Sequence, residues 1–196
     1  MNVTLVDSPV ANVANIARAL RAVDASLQLS RDAETIALAD KIVLPGVGSF
    51  AAAMQWLGEN RIDDALRTAV ARGASLLGIC VGHQLLFDVS YEMGVTRGLA
   101  LVRGEVRPFD GPLPVPQIGW NRVTARSPLF DGVESAAFYF VNSYAVRDAG
   151  SEIATADYNG PFTAAVQQGR VFGVQFHPEK SSTAGLRVLR NFVACN

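Results

Sequence analysis

The chain has 196 residues, 49% of them apolar and 18% charged, and its 17 cationic and 18 anionic side chains leave a formal charge of −1. This suits one folded domain spanning 1–196 with a full core, and it excludes a disordered or collagen-like chain. The near-neutral balance gives no net field toward nucleic acid or an anionic membrane, and two cysteines, Cys80 and Cys195, cannot build a disulfide framework, which points to a reducing, cytoplasmic setting.

Val3 to Val6 reads as a strand, followed by a helix start with Ser8 as N-cap and Pro9 at the first helical position. Asp7 and Pro9 interrupt the first apolar stretch too early for a signal peptide, and no apolar run approaches the ~20 residues of a membrane span. Val10, Val13, Ile16, Ala17 and Leu20 then recur at helical spacing. Leu27 to Leu29 is a weak second strand, and Ile42 to Leu44 a buried one stopped by Pro45-Gly46. Residues 61–72 put Ile62, Leu66, Ala69 and Val70 on one helix face and end at Gly73, before a strand from Ser75 to Ile79. Such alternation predicts an α/β fold, a mostly parallel sheet with helices on both faces. From about residue 95 the texture changes. Short apolar runs at Leu99–Val102, Glu105–Arg107, Asn121–Thr124, Ala137–Val141, Ala164–Val166 and Val171–Val174 lie between Pro and Gly turns, predicting an antiparallel β extension. Leu186, Leu189, Phe192 and Val193 predict a last helix over 182–193.

Gly78-Ile79-Cys80-Val81-Gly82 lies between that apolar strand and a helical start at Gln84 to Phe87, the G-x-C-x-G form of a nucleophile elbow. A tight strand-to-helix turn exposes the thiol, places it at a helix N-terminus, and aims the Val81 N–H where an oxyanion would form. A buried core cysteine beside turn glycines is the bland alternative. A thiol nucleophile needs a base, and the chain has only His83 and His177. His177 stands two residues before Glu179, a spacing that on extended chain puts both on one side, at the sheet edge, where the carboxylate orients the imidazole. Cys80, His177 and Glu179 thus form a candidate triad. His83, three residues after Cys80, has no such carboxylate and reads better as packing or hydrogen bonding near the site. The Pro45-Gly46-Val47-Gly48-Ser49-Phe50 loop follows a buried strand and fits the second oxyanion donor, but it lacks the pattern of a phosphate loop. Cys195 has no glycine or base nearby. The histidines and cysteines offer no zinc spacing, and no organic cofactor motif appears.

Taken together, GICVGHQLLF, GVQFHPEKS and PGVGSF resemble, in order, the class I (triad) glutamine amidotransferases, over essentially the whole chain. Within that family PGVGSF, PQIGWN, YFVNSY and the Lys180-Ser181 ending resemble the glutaminase subunits of imidazole glycerol phosphate synthases, whereas the anthranilate synthase glutaminases typically carry PGPG and HPES. Two positions depart from the subgroup: His83 stands where Met is usual and Asn142 where His is usual. The resemblance implies a flavodoxin-like sheet and a glutaminase that converts glutamine to glutamate and ammonia, with Cys80 as nucleophile and His177 as base oriented by Glu179. It further implies an oxyanion hole from the N–H groups of Gly48 and Val81, and substrate contacts from Gln84, Ser143 and Tyr144. The implied partner is a (β/α)8-barrel synthase subunit that receives the ammonia, with Trp120, Asn121, Tyr139 and Lys180 at the interface. The length leaves no room for an ammonia-consuming domain, which agrees with a partner. Other synthases, a non-catalytic subunit on the same fold, and a stand-alone cysteine peptidase or esterase are the competing readings. Neither nucleic acid nor a membrane is an expected partner.

Overall fold

The computed structural model describes residues 2–9 and 12–195. Its first half alternates β1 (Asn2–Val6), α1 (Val13–Arg21), β2 (Ser26–Ser30), α2 (Ala33–Leu38), β3 (Lys41–Gly46), α3 (Phe50–Glu59), α4 (Ile62–Ala71), β4 (Ser75–Cys80) and the one-turn α5 (Val81–Gln84). The second half is mostly strand: β5 (Val89–Ser90), β6 (Thr96–Arg97), β7 (Glu105–Pro108), β8 (Gln117–Arg122), β9 (Thr124–Ala125), β10 (Ala137–Asn142), β11 (Tyr144–Val146), β12 (Glu152–Asp157), β13 (Pro161–Gln168) and β14 (Val171–Val174), before α6 (Ser182–Ala194).

An eight-stranded sheet runs in the order β2-β1-β3-β4-β14-β13-β12-β9. The first five strands are mutually parallel and the last three antiparallel. β3 and β4 are buried along their whole length, because helices cover both faces of the parallel part. Right-handed crossovers put α1 with α6 on one face and α2, α3 and α4 on the other. The order 2-1-3-4 followed by a fifth parallel strand is flavodoxin-like, and ligands on such sheets bind beyond the carboxyl ends of the strands. Two smaller units stand at that end: the β8–β10 ribbon, and a sheet ordered β11-β7-β5-β6.

Several local expectations change. The first helix is capped by Asn12, whose side chain accepts from the Asn15 N–H at 3.3 Å, and not by Ser8; Val10 lies outside the described residues. The Ala-rich run after the PGVGS loop is the helix α3, capped by Ser49. Val171–Val174 belongs to the parallel sheet, beside β4, and is antiparallel only to β13. Leu99–Val102 is not a strand. Its N–H groups bond instead to the carbonyls of Leu85, Leu86 and Phe87, which a helix ending after a single turn leaves unpaired. Lys41, one of two lysines, is buried and donates to the carbonyls of Phe192, Val193 and Cys195, closing the C-terminal end of α6 where a cation is favoured.

Candidate active site

Three strand ends converge. In the parallel register Cys80, last residue of β4, lies opposite Gly46 of β3, while Ile79 lies opposite Val174 of β14. β3 runs on through Pro45 and Gly46, which do not stop it, so the PGVG segment begins within the strand and only Val47 and Gly48 lie beyond it; the chain beyond β14 carries Gln175, Phe176 and His177. Phe176 is fully buried and stacks on Phe138 at 4.1 Å between ring centroids. Driving that ring into the core turns its neighbours Gln175 and His177 to the other side, toward Cys80.

Cys80 sits at φ 55°, ψ −111°, a conformation an L-residue adopts only at a cost of about 1–3 kcal/mol and only where its surroundings enforce it. The enforcement comes from backbone packed directly on backbone. A Cβ on Gly46 would stand 2.6 Å from the Gly82 nitrogen, and one on Gly82 would overlap the Leu44 carbonyl oxygen. The helix after the elbow is one turn, shorter than the motif suggested.

His177 Nδ1 lies 2.9 Å from Glu179 Oε1, with both side chains almost wholly buried. The contact does not arise on extended chain: Pro178–Lys180 is a 3-10 turn at the end of an interior strand, not at the sheet edge. Ser181 secures that turn, donating to the His177 carbonyl at 2.6 Å while accepting from the Tyr139 N–H at 2.9 Å. Burial alone would lower the His177 imidazolium, but hydrogen bonds and charge from Cys80 and Glu179 outweigh it and push its pKa up to about 9.

A cavity of about 340 Å³ opens over Cys80 and His177 and is lined also by Gly48, Val81, Gln84, Ser143, Tyr144 and Lys180. Glu92 is the one carboxylate on that lining, and it accepts from the Phe50 N–H at 2.6 Å. Nothing in its local sequence marks it; the β5–β6 hairpin brings it there. Gln84 Nε2 donates to the Tyr144 carbonyl at 3.0 Å and to Gln175 Oε1 at 2.9 Å. Both amide hydrogens are thereby used inside the protein, so Gln84 can offer a ligand only its oxygen. Asn142 Nδ2 donates to the same Tyr144 carbonyl, also at 3.0 Å. Trp120, Asn121 and Tyr139 lie outside the cavity lining, on the β8–β10 ribbon. Trp120 and Tyr139 are register partners with rings 6.0 Å apart, and Lys180 Nζ lies 5.8 Å from the Tyr139 ring. Among the described residues no group of three or more His, Cys, Asp or Glu could hold a metal, and no helix is long and apolar enough to cross a membrane.

His83 does not line the cavity. It is 0% exposed, meets Phe87 edge-on at 5.1 Å, and neither ring nitrogen finds a hydrogen-bond partner among the described residues. It packs without hydrogen bonding, and burial drives its pKa down to about 3. The two histidines therefore pull stability in opposite directions with pH. His177 stabilises most below pH 6.5, and that contribution is lost as pH rises through about 9. His83 takes up no proton when folded until about pH 3, so as pH falls below 6.5 the unfolded state gains the proton and stability is lost. His83→Met fills similar space without a titrating group. Relative to the parent it is expected to gain about 2 kcal/mol on going from pH 8 to pH 5. Paired urea melts at the two pH values measure this; an equal difference at both would refute it.

A family model, Glutamine amidotransferase class-I, matches residues 4–195. The chain is 43% identical to the imidazole glycerol phosphate synthase subunit HisH of Caulobacter vibrioides, over 97% of each chain, and 41% identical to that of Vibrio cholerae, over 98% of each. Among solved structures, a glutamine amidotransferase superposes with a TM-score of 0.78 at 20% identity over 97% of this chain and 96% of the other, and PurLQS from Thermotoga maritima with 0.72 at 21% over 98% and 97%. At that identity the structures speak for the fold alone. Sequence and fold agree that the chain belongs to the class-I glutamine amidotransferase family, and within it to the group of the HisH subunits.

Proposed function

We propose that this protein is the glutaminase subunit of an imidazole glycerol phosphate synthase, hydrolysing glutamine to glutamate and ammonia and delivering the ammonia to a (β/α)8-barrel synthase subunit. The observation that carries the chemistry is a thiol on a strained strand-to-helix turn beside an imidazole whose far nitrogen is held by a buried carboxylate at 2.9 Å. The relatives' shared name carries the choice of synthase.

Cys80 as thiolate attacks the carboxamide carbon of glutamine. The imidazolium of His177, oriented by Glu179, protonates the departing nitrogen, so that ammonia leaves and a glutamyl thioester remains. A water molecule gives its proton to the now neutral His177 and attacks the thioester, releasing glutamate and restoring the thiolate–imidazolium pair. The N–H groups of Val81 and Gly48 stabilise the oxyanion; Gly48 has φ 86°, which leaves the PGVG loop free to turn its peptides toward the cavity when a partner binds. Ser143, Tyr144 and the Gln84 oxygen hold the substrate's backbone end, and Glu92 pairs with its ammonium group. Next to the cavity, the outward face of the ribbon carries Ile118 at 64% exposure and Trp120 at 56%, opposite Tyr139 and Val141, the latter on the cavity lining. With Lys180 beside it, this apolar face at the cavity mouth is the docking surface for the synthase subunit; Asn121 turns to the ribbon's other face, opposite buried Phe138, and donates to the Asp157 carbonyl, so it takes no part in that surface.

The test is glutamine hydrolysis by the purified chain, alone and with the barrel subunit plus its nucleotide ligand. Hydrolysis is expected to rise at least about tenfold in the liganded complex. A complex that forms yet releases no glutamate would overturn the glutaminase reading, and failure to bind this barrel would overturn the choice of synthase.

A further inference from the structure

Gln175 is fully buried beside the reactive thiol, and the reaction as written gives it no task. The register of β14 on β4 sets it next to Cys80, and its own N–H is fixed to the Ala164 carbonyl of β13 at 2.9 Å. The orientation of its side-chain amide follows from its neighbours. The Tyr144 carbonyl can only accept, so the nitrogen of the Gln84 amide faces it. That same nitrogen is 2.9 Å from the Gln175 amide, which must therefore present its oxygen to Gln84. Gln175 Nε2 is left facing Cys80 Sγ, at 4.0 Å. On another side of the sulfur the Val141 carbonyl stands 3.9 Å away, an acceptor that serves the protonated thiol alone.

We propose that Gln175 is a positioning residue for the nucleophile: locked by Gln84 and the Tyr144 carbonyl, it donates an N–H to the Cys80 sulfur and so favours the thiolate over the thiol. A donor held in place by a buried partner needs no reorganisation when charge appears on the sulfur, which is where such a bond is strongest. The charged and titratable groups around the same sulfur are His177, backed by Glu179, together with Glu92, Lys180 and Tyr144 on the cavity lining. Gln175 differs from all of them in acting at every pH, because an amide does not titrate. The lock also connects the sulfur to Gln84, and through it to the cavity wall that meets the substrate.

The inference rests on Cys80 being the nucleophile, but its test reads the thiol directly. In a Cys195→Ser background, which leaves Cys80 as the one thiol, the rate of alkylation by iodoacetamide is followed from pH 4 to pH 10. Gln175→Met removes the donor at nearly constant volume. The midpoint of its rate profile is expected to rise by about one pH unit, making alkylation about tenfold slower at pH values below the parent's midpoint and equal on the alkaline plateau. Gln175→Asn keeps a buried amide but withdraws it by one methylene; it is expected to shift the same way, and it carries the test if the Met variant does not fold. A folded variant of either kind with the parent's profile, or with a rate lowered equally at all pH values, overturns the proposal. Failure of the readings beneath it has separate signatures: a complex that releases no glutamate for the glutaminase, and hydrolysis that survives Cys80→Ala for Cys80 as its nucleophile.

Discussion

Cys80→Ala is expected to lower glutamine hydrolysis by about 10⁴-fold or more while the protein stays folded and still binds its synthase partner. Without the sulfur no thioester can form, and His177 and the oxyanion donors alone retain only the residual catalysis of a bound substrate. The fold tolerates the change because the lost atom is one buried sulfur with weak contacts to Val141 and Gln175, and His177, its other partner, stays held by Glu179. A second comparison at this position separates chemistry from strain. At φ 55°, ψ −111° any Cβ is unfavourable, so Cys80→Gly, equally inactive, is expected to be more stable than Cys80→Ala by about 1 kcal/mol. Activity assays and urea melts on the two variants check both halves. An active Ala variant would remove Cys80 from the mechanism; a Gly variant no more stable than Ala would mean that the elbow is unstrained.

The second large effect is structural. Gly82→Ala places a Cβ far inside van der Waals contact distance of the Leu44 carbonyl oxygen and 3.0 Å from the Leu44 carbonyl carbon. Both belong to β3, an interior strand paired on each side, so neither can yield. The expected loss is about 3 kcal/mol or more, which in a domain of this size lowers Tm by about 6–12 °C. Because the same contact presses α5 against the end of β3, relief of the clash moves Cys80 away from the PGVG loop, and activity falls with stability. Gly58→Ala is the control. Its Cβ meets nothing within 4 Å near the end of α3, and the substitution is expected to be neutral or to stabilise by up to about 1 kcal/mol. Equal melting of the Gly82→Ala and Gly58→Ala proteins would contradict this account of the elbow.

Short-range chemistry is what the chain reveals without a structure. The alternation of apolar runs and amphipathic segments up to Ile79 depends on neighbours along the chain, and it yields the parallel α/β sheet. The same holds for the glycine-flanked thiol, because turn chemistry is a local property; the His177–Glu179 contact is expected as well, but a 3-10 turn makes it and not the extended chain that the two-residue spacing suggests. Local reading falters where long-range pairing decides. Leu99–Val102 has a strand's composition, yet it is drawn off to the open carbonyls of Leu85, Leu86 and Phe87. Val171–Val174 looks like one more antiparallel strand, yet it completes the parallel sheet beside β4.

That last placement governs the site. A chain 95 residues downstream of Cys80 reaches it only because β14 inserts between β4 and β13, and the register of that insertion sets both Gln175 and His177 by the sulfur. Glu92 reaches the cavity in the same indirect way, from a hairpin in a separate sheet. The sequence by itself determined the candidate thiol, imidazole and carboxylate and the kind of sheet that carries them. Distances across the cavity, the direction of each amide, and the assignment of one histidine to the thiol and the other to the core were decided by tertiary structure. The reason is physical: hydrogen-bond orientation and desolvation depend on atoms brought together by packing, which spacing along the chain does not encode.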